Sequence, residues 1–103
     1  MLAVIMTLSY LDFDRSEDTL GTVTFDAMAS VRPDAQAAVR AEIDTVLAWA
    51  QATFPGMQGP VEEGAVWDFD HSEQDDDGRV LLTLTLSGNA DFAEAFERRF
   101  GAG

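Results

Sequence analysis

The most strongly patterned part of the sequence is the segment PDAQAAVRAEIDTVLAWAQATF, at residues 33–54. Its apolar side chains recur at helical spacing and would form one continuous stripe: Val39, Ile43, Val46, Leu47, Ala50 and Phe54. Pro33 and Asp34 are typical of a first helical turn, and Pro55-Gly56 cannot continue a helix. The segment predicts a long amphipathic helix, whose apolar stripe needs another layer to pack against.

The rest of the chain predicts that this layer is a β-sheet. Alternating or doubly apolar patterns indicate four strands, at residues 2–13, 22–30, 62–70 and 79–87. The polar segment 71–78 is expected to be a hairpin loop, since it ends in Asp77-Gly78, a pair favoured in hairpin turns. A second helix is expected at residues 90–100, with Asn89 as its N-cap.

The predicted order is β-β-α-β-β-α, within a single α+β domain that covers residues 1–103. We expect a four-stranded antiparallel sheet with both helices on one face. The hexapeptide DFDRSE at 12–17 matches DFDHSE at 68–73 in five of six positions. This match predicts a pseudo-duplicated ββα unit, with half-repeats at 1–54 and 61–101.

The net charge of the chain limits which kinds of partner it can bind. The sequence contains nineteen acidic residues and six basic ones, all arginine, which give a formal net charge of −13, and it contains no cysteine. Such a surface repels nucleic-acid phosphate and anionic lipid, so we expect no direct binding to nucleic acid or membrane. It suits a basic protein, a cation or solubility alone. Without cysteine, disulfides and thiolate metal sites are excluded, and a cytoplasmic location is expected.

Six carboxylates crowd into ten residues between positions 68 and 77: Asp68, Asp70, Glu73, Asp75, Asp76 and Asp77. A calcium loop begins with oxygen ligands at alternate positions followed by glycine, and the same spacing occurs at Glu73, Asp75, Asp77 and Gly78. Leu84 occupies the position of the expected bidentate acid, which excludes a helix-loop-helix site. An open Ca²⁺ or Mg²⁺ site is one interpretation, with five candidate ligands: Asp68, Asp70, Glu73, Asp75 and Asp77. A solvated hairpin tip is the other.

The segment VWDFDHS at residues 66–72 resembles the first motif of haloacid-dehalogenase-like phosphatases, an apolar strand that ends in Asp-x-Asp-x-Thr. The resemblance implies a nucleophilic carboxylate at Asp68, a general acid/base at Asp70 and a bound Mg²⁺. It covers seven residues, with Ser72 in place of the threonine. The chain also contains no lysine, a residue that the family requires.

Two further side chains are candidates for function. His71 and Ser72 are neighbours on an extended segment, so they would point to opposite faces and could not act as a base and nucleophile pair. Trp49 lies beside the helix stripe, where it would be either an edge of the core or an anchor for a protein partner. The sheet face without helices would carry Met28, Val66 and Leu81, which makes a homodimer contact an open alternative.

From these features the sequence predicts a non-catalytic acidic module that binds or inhibits a basic protein. The candidate partner-binding residues are Asp75, Asp76, Asp77 and Trp49. Two alternatives stay open. One is a divalent-cation binder that uses the cluster at 68–77, and the other is a small ligand-binding or enzymatic domain. No catalytic or cofactor-binding residue is predicted, because the sequence contains neither a nucleophile and base pair nor a glycine-rich phosphate loop.

Overall fold

The computed structural model describes residue 8 and residues 10–100. Its strands are β1 (Asp14–Glu17), β2 (Val23–Val31), β3 (Trp67–Asp76) and β4 (Arg79–Gly88). Its helices are α1 (Gln36–Thr53) and α2 (Ala90–Phe100), with short 3₁₀ turns at Pro33–Ala35 and Val61–Glu63. The fold is therefore α+β, as the sequence predicts.

The four strands form one antiparallel sheet in the order β1-β2-β4-β3. The two strands rich in apolar residues, β2 and β4, lie in the centre and pair along their whole length, from Val23 opposite Gly88 to Val31 opposite Val80. The polar strands β1 and β3 form the two edges. This order places the most apolar strands where they can be covered best.

Both helices pack on the same face of the sheet, which we call the covered face. Its side chains come from alternate residues of the central strands and are buried: Val23, Phe25, Ala27, Ala29, Val31, Val80, Leu82, Leu84 and Leu86. Helix α1 adds Val39, Ile43, Val46 and Ala50, and α2 adds Phe92, Ala93 and Phe96. The opposite surface is the open face, formed by the other residues of the same strands.

The helix boundaries agree closely with the sequence pattern. Pro33 begins a 3₁₀ turn that leads into α1, and α1 ends at Thr53, before Pro55-Gly56. Helix α2 covers residues 90–100, and the Asn89 side chain accepts the Phe92 amide at 3.0 Å as its N-cap. These termini follow local rules of capping and proline geometry, which a sequence displays directly.

The first described strand, β1, begins after the segment 2–13 in which the sequence predicts a strand. Most of the predicted strand 2–13 lies outside the described residues, and residues 10–13 are not in the sheet. The Glu42 carboxylate of α1 accepts the amides of Tyr10 and Leu11 at 3.0 and 3.1 Å, which holds this segment against the helix. The described strand at this edge of the sheet, next to β2, is Asp14–Glu17, a polar segment between the predicted strands 2–13 and 22–30.

The third strand extends six residues further than predicted. The polar residues 71–76 belong to the predicted hairpin loop, yet β3 continues to Asp76 and pairs with β4 throughout. The tight turn Asp77-Gly78, with φ values of 50° and 85°, sets this register. A two-residue turn joins strands of equal length, so the ten residues of β4 bring ten residues of β3 with them.

The structure does not confirm the predicted duplication. The hexapeptide at 68–73 lies wholly within β3, whereas only the last four residues of the one at 12–17 are in β1. The helices that follow the two hairpins also differ, with 18 residues in α1 and 11 in α2.

Candidate functional site

The acidic cluster lies on β3 and on the turn after it, at one edge of the sheet. Because side chains alternate along a strand, its members are divided between two faces. The side chains of Asp68, Asp70 and Asp76 lie on the open face, where the opposite residues of β4 are Ser87, Thr85 and Arg79. The side chains of Glu73 and Asp75 lie on the covered side. Asp77 is in the turn, with a left-handed backbone.

Four of these carboxylates are exposed, and no described side chain compensates their charge. Among the described residues, no hydrogen bond or ion pair reaches the side chains of Asp70, Asp75, Asp76 or Asp77. The five ion pairs of the described chain all use glutamate, at Glu17, Glu73, Glu94 and Glu97. The end of β3 therefore carries a concentration of negative charge that the described arginines do not neutralise.

Glu73 differs from its neighbours because it joins β3 to α1. Its carboxylate accepts Arg40 Nη2 at 2.7 Å and Gln36 Nε2 at 2.7 Å, and His71 Nε2 lies 3.2 Å from its second oxygen. The hydrogen bond from Arg40, followed by that from Gln36, lowers the pKa of Glu73 to about 2. Glu73 is thus a structural residue in a partly buried network, and its charge is already matched.

Asp68 has local partners at the start of β3. Its Oδ1 accepts the Phe69 amide at 2.9 Å and Gln58 Nε2 at 3.3 Å. These bonds leave Asp68 on the open face, next to the segment that precedes the strand. Another open-face acid, Asp26, accepts the Thr85 hydroxyl at 2.7 Å from the neighbouring strand.

The candidate metal ligands do not converge. Within the described residues, no group of three or more His, Asp or Glu side chains is placed to hold a metal ion. The reason is the extension of β3 to Asp76, since a pleated strand points Asp68 and Asp70 away from Glu73 and Asp75. A calcium loop needs a curved backbone that turns successive oxygens inward, and only Asp77-Gly78 turns here.

The residues of the phosphatase-like motif also lie on this edge strand. Asp68 and Asp70 lie in the first half of an antiparallel strand that continues to Asp76, whereas the resemblance implies that the strand ends at these aspartates. Ser72 donates to Thr83 Oγ1 at 3.2 Å on the open face, and His71 contacts Glu73 on the covered side. One hollow in the surface is lined by residues without a titratable side chain: Gly56, Met57, Gln58, Gly64, Ala65 and Val66.

Trp49 is half-buried at the rim of the aromatic core. Its ring centroid lies 5.3 to 6.4 Å from those of four phenylalanines: Phe54, Phe92, Phe96 and Phe100. These contacts make Trp49 part of the core rim, and any contact with a partner would use the exposed remainder of the ring.

The open face is mostly hydroxylic, with a small apolar centre. Threonines and serines cover β4, and Met28 of β2 stands among them with 63% of its surface exposed. Leu81 and Val66 are half-buried. The face also holds acids from three strands, at Asp14, Asp26 and Asp70.

Comparisons with protein-family models, with curated proteins and with solved structures find no match to this chain. Within the part of the chain that the structure describes, no helix is long and apolar enough to cross a membrane.

The length of β3 could have been predicted from the sequence, although its acidic composition suggests a loop. Leu82, Leu84 and Leu86 mark β4 as a long strand, and the Asp-Gly turn before it requires an equally long partner. Applied strictly, that rule extends β3 to Asp76 and turns the acidic segment from a loop into a strand. The roles of Gln36, Arg40 and Glu42 have no such signal, because their partners are distant in the sequence.

Proposed function

We propose that this protein is a non-catalytic interaction module that binds a basic protein partner through the acidic end of β3. The observation that carries the proposal is a group of four exposed aspartates that pair with no described residue: Asp70, Asp75, Asp76 and Asp77. These aspartates lie on a regular strand and a tight turn, so binding does not require the acidic segment itself to fold. A cysteine-free chain fits our further proposal of a cytoplasmic location.

The chemistry of the edge favours basic side chains over other ligands. An exposed carboxylate gains from a nearby arginine or lysine, and several such contacts on one surface mainly raise the association rate and the specificity. Unpaired carboxylates also require no internal ion pair to break before the partner binds. The same field repels nucleic acid, which directs the surface toward proteins.

A peptide titration tests this function. The probe is the octapeptide RTRTRTRT, which is amidated at its C-terminus, labelled with a fluorophore at its N-terminus and followed by anisotropy between about 20 and 300 mM sodium chloride. We expect an affinity that decreases steeply with salt. The variant with Asn at Asp70, Asp75, Asp76 and Asp77 should bind at least about tenfold more weakly, and Asn at position 77 tolerates the left-handed backbone.

A matched variant removes a similar amount of charge elsewhere. Asp12, Asp44 and Glu62 are exposed and lie outside β3 and its turn, so Asp12→Asn, Asp44→Asn and Glu62→Gln serve as the control. We expect this control to keep most of the affinity. Equal weakening by the two variants would show that only net charge matters, and absence of binding at the lowest salt would overturn the proposed function.

A further inference from the structure

Strand β3 is an edge strand, and none of the described residues pairs with most of its outer side. It has ten residues, whereas the opposite edge strand, β1, has four. Among the described residues, the outer side of β3 is met only at its start, where the Gly59 amide donates to the Trp67 carbonyl at 2.9 Å. Beyond that contact the strand presents its backbone outward.

The contact with Gly59 also identifies which backbone groups point outward. Backbone groups of successive residues point alternately to the two sides of a strand. Since the Trp67 carbonyl points away from β4, the backbone groups of Phe69, His71, Glu73 and Asp75 do so as well. The pairing of Asp76 with Arg79 across the two-residue turn fits this phase, because the pair that closes such a turn is hydrogen-bonded.

Within the part of the chain that the structure describes, three residues along this edge keep both backbone groups unpaired. The Phe69 amide donates to Asp68 Oδ1, but no described residue bonds the outward amides and carbonyls of His71, Glu73 and Asp75. These groups have the spacing of a strand ladder. An added fifth strand of about five to seven residues would therefore form hydrogen bonds with all three amides and all three carbonyls.

The charges along the edge indicate what kind of strand fits. A second copy of β3 in antiparallel pairing would bring aspartates opposite aspartates, and like charges opposite each other destabilise a sheet. A basic strand would bring its side chains beside Asp70 and Asp76 on the open face and beside Asp75 on the other. The edge thus opposes self-association and favours an extended segment rich in arginine or lysine.

From the open backbone and its charge we infer that the partner binds by strand addition to the outer edge of β3. The occupant is an extended basic segment of another protein, hydrogen-bonded to His71, Glu73 and Asp75. This inference rests on the proposed function and adds the mode of binding, which charge alone does not require.

Two variants at one position separate backbone bonding from charge. His71→Pro removes an outward amide and places a ring on the edge, yet the φ of proline suits an edge strand and the ladder to β4 keeps its bonds. His71→Ala removes the same side chain but keeps the amide. Both variants retain every aspartate, and circular dichroism with a thermal melt establishes that each is folded.

We expect His71→Pro to bind RTRTRTRT at least about tenfold more weakly than His71→Ala. Addition of RTRTRTRT to the wild-type protein should slow hydrogen exchange at the amides of His71, Glu73 and Asp75. This last measurement does not depend on the folding of any variant.

Other outcomes overturn the inference in distinguishable ways. Equal affinity of the two His71 variants, with unchanged exchange at the three amides, would retain a charge-driven function but remove strand addition. Failure of RTRTRTRT to bind the wild type would remove both proposals. Slow exchange of the three amides in the free protein, together with a dimeric mass in solution, would assign the edge to a second copy.

Discussion

Adjacent residues of β4 have opposite surroundings. Leu82 and Leu84 are fully buried under the helices, whereas Thr83 between them lies on the open face and is bonded to Ser72. The same alternation applies to β2, where Ala27 is buried and the next residue, Met28, is among the most exposed apolar side chains described. One strand therefore carries a core and a surface at once.

The comparison indicates how stability and recognition can be separated in a small domain. Burial on the covered face supplies the hydrophobic free energy, which scales with the apolar area removed from water. The open face and the outer edge of β3 bury little, so their side chains can carry uncompensated charge at small cost. Substitutions should reveal this separation directly, as changes in stability on one face and in binding on the other.

The largest expected difference is between two neighbours on β4. Leu84→Ala should lower the free energy of unfolding by about 2–5 kcal/mol, because it leaves a cavity beneath both helices. Thr83→Ala should change it by no more than about 0.5 kcal/mol. Chemical denaturation of the two variants measures both values, and losses of similar size would show that the open face is also covered.

A second pair of neighbours tests the close approach of α2 to the sheet. A Cβ added at Gly88 would overlap the Phe92 side chain, so Gly88→Ala should cost about 1–3 kcal/mol of stability through displacement of the helix. Ser87→Ala, on the open face, should have an effect near zero. A neutral result for Gly88→Ala in denaturant unfolding would mean that α2 lies further from the sheet.

The N-cap of α2 tests how firmly that helix is held on the covered face. Asn89→Ala removes the acceptor of the Phe92 amide and should cost about 1 kcal/mol. Asn89→Asp keeps an acceptor at the positive end of the helix and should retain nearly the full stability. Thermal melts of the two variants should therefore differ, and equal losses would assign another role to Asn89.

The bond between Glu73 and Arg40 should contribute a smaller, pH-dependent effect. The pKa of Glu73 is lowered from 4.5 to about 2 by Arg40, so the folded state gains stability above pH 4.5 and loses it as the pH falls from 4.5 toward 2. Glu73→Gln should remove this dependence, so the difference from wild type should shrink on acidification across that range. Glu62→Gln is the control, and stability curves that stay parallel down to pH 2 would contradict the assignment.

The smallest effect on stability is expected at the acidic edge itself. Asp70→Asn with Asp76→Asn should leave the free energy of unfolding unchanged within about 0.5 kcal/mol or raise it slightly, because it relieves repulsion in a chain of charge −13. The same variant should weaken binding of RTRTRTRT. A marked loss of stability would mean that these carboxylates have structural partners.

The elements governed by local rules could be predicted from the sequence. The stripe of α1, the cap and stripe of α2, and the alternation of β2 and β4 all appear in single segments, and each forms an element close to its predicted boundaries. These patterns depend on burial of one face, which a sequence displays as a period.

The edge strands were harder to predict than the central ones. Their positions and lengths depend on pairing with a neighbouring strand that is distant in the sequence or joined by a tight turn. Asp14–Glu17 is fully polar and forms a strand because it pairs with β2, while Arg15 bonds Glu97 of α2 at 2.8 Å. The polar half of β3 likewise depends on the turn and on β4. Composition identified the acidic residues of the candidate site, but only the topology shows that they lie on an edge strand with which few described residues pair on its outer side.

Hydrogen exchange of the free protein, followed residue by residue with NMR, tests the central claim most directly. If the outer edge of β3 is open, protection should alternate along the strand, with fast exchange at His71, Glu73 and Asp75 and slow exchange at Ser72 and Gln74, whose amides face β4. Uniform protection from residue 71 to 75 would contradict the account, because it would show that the edge is already paired.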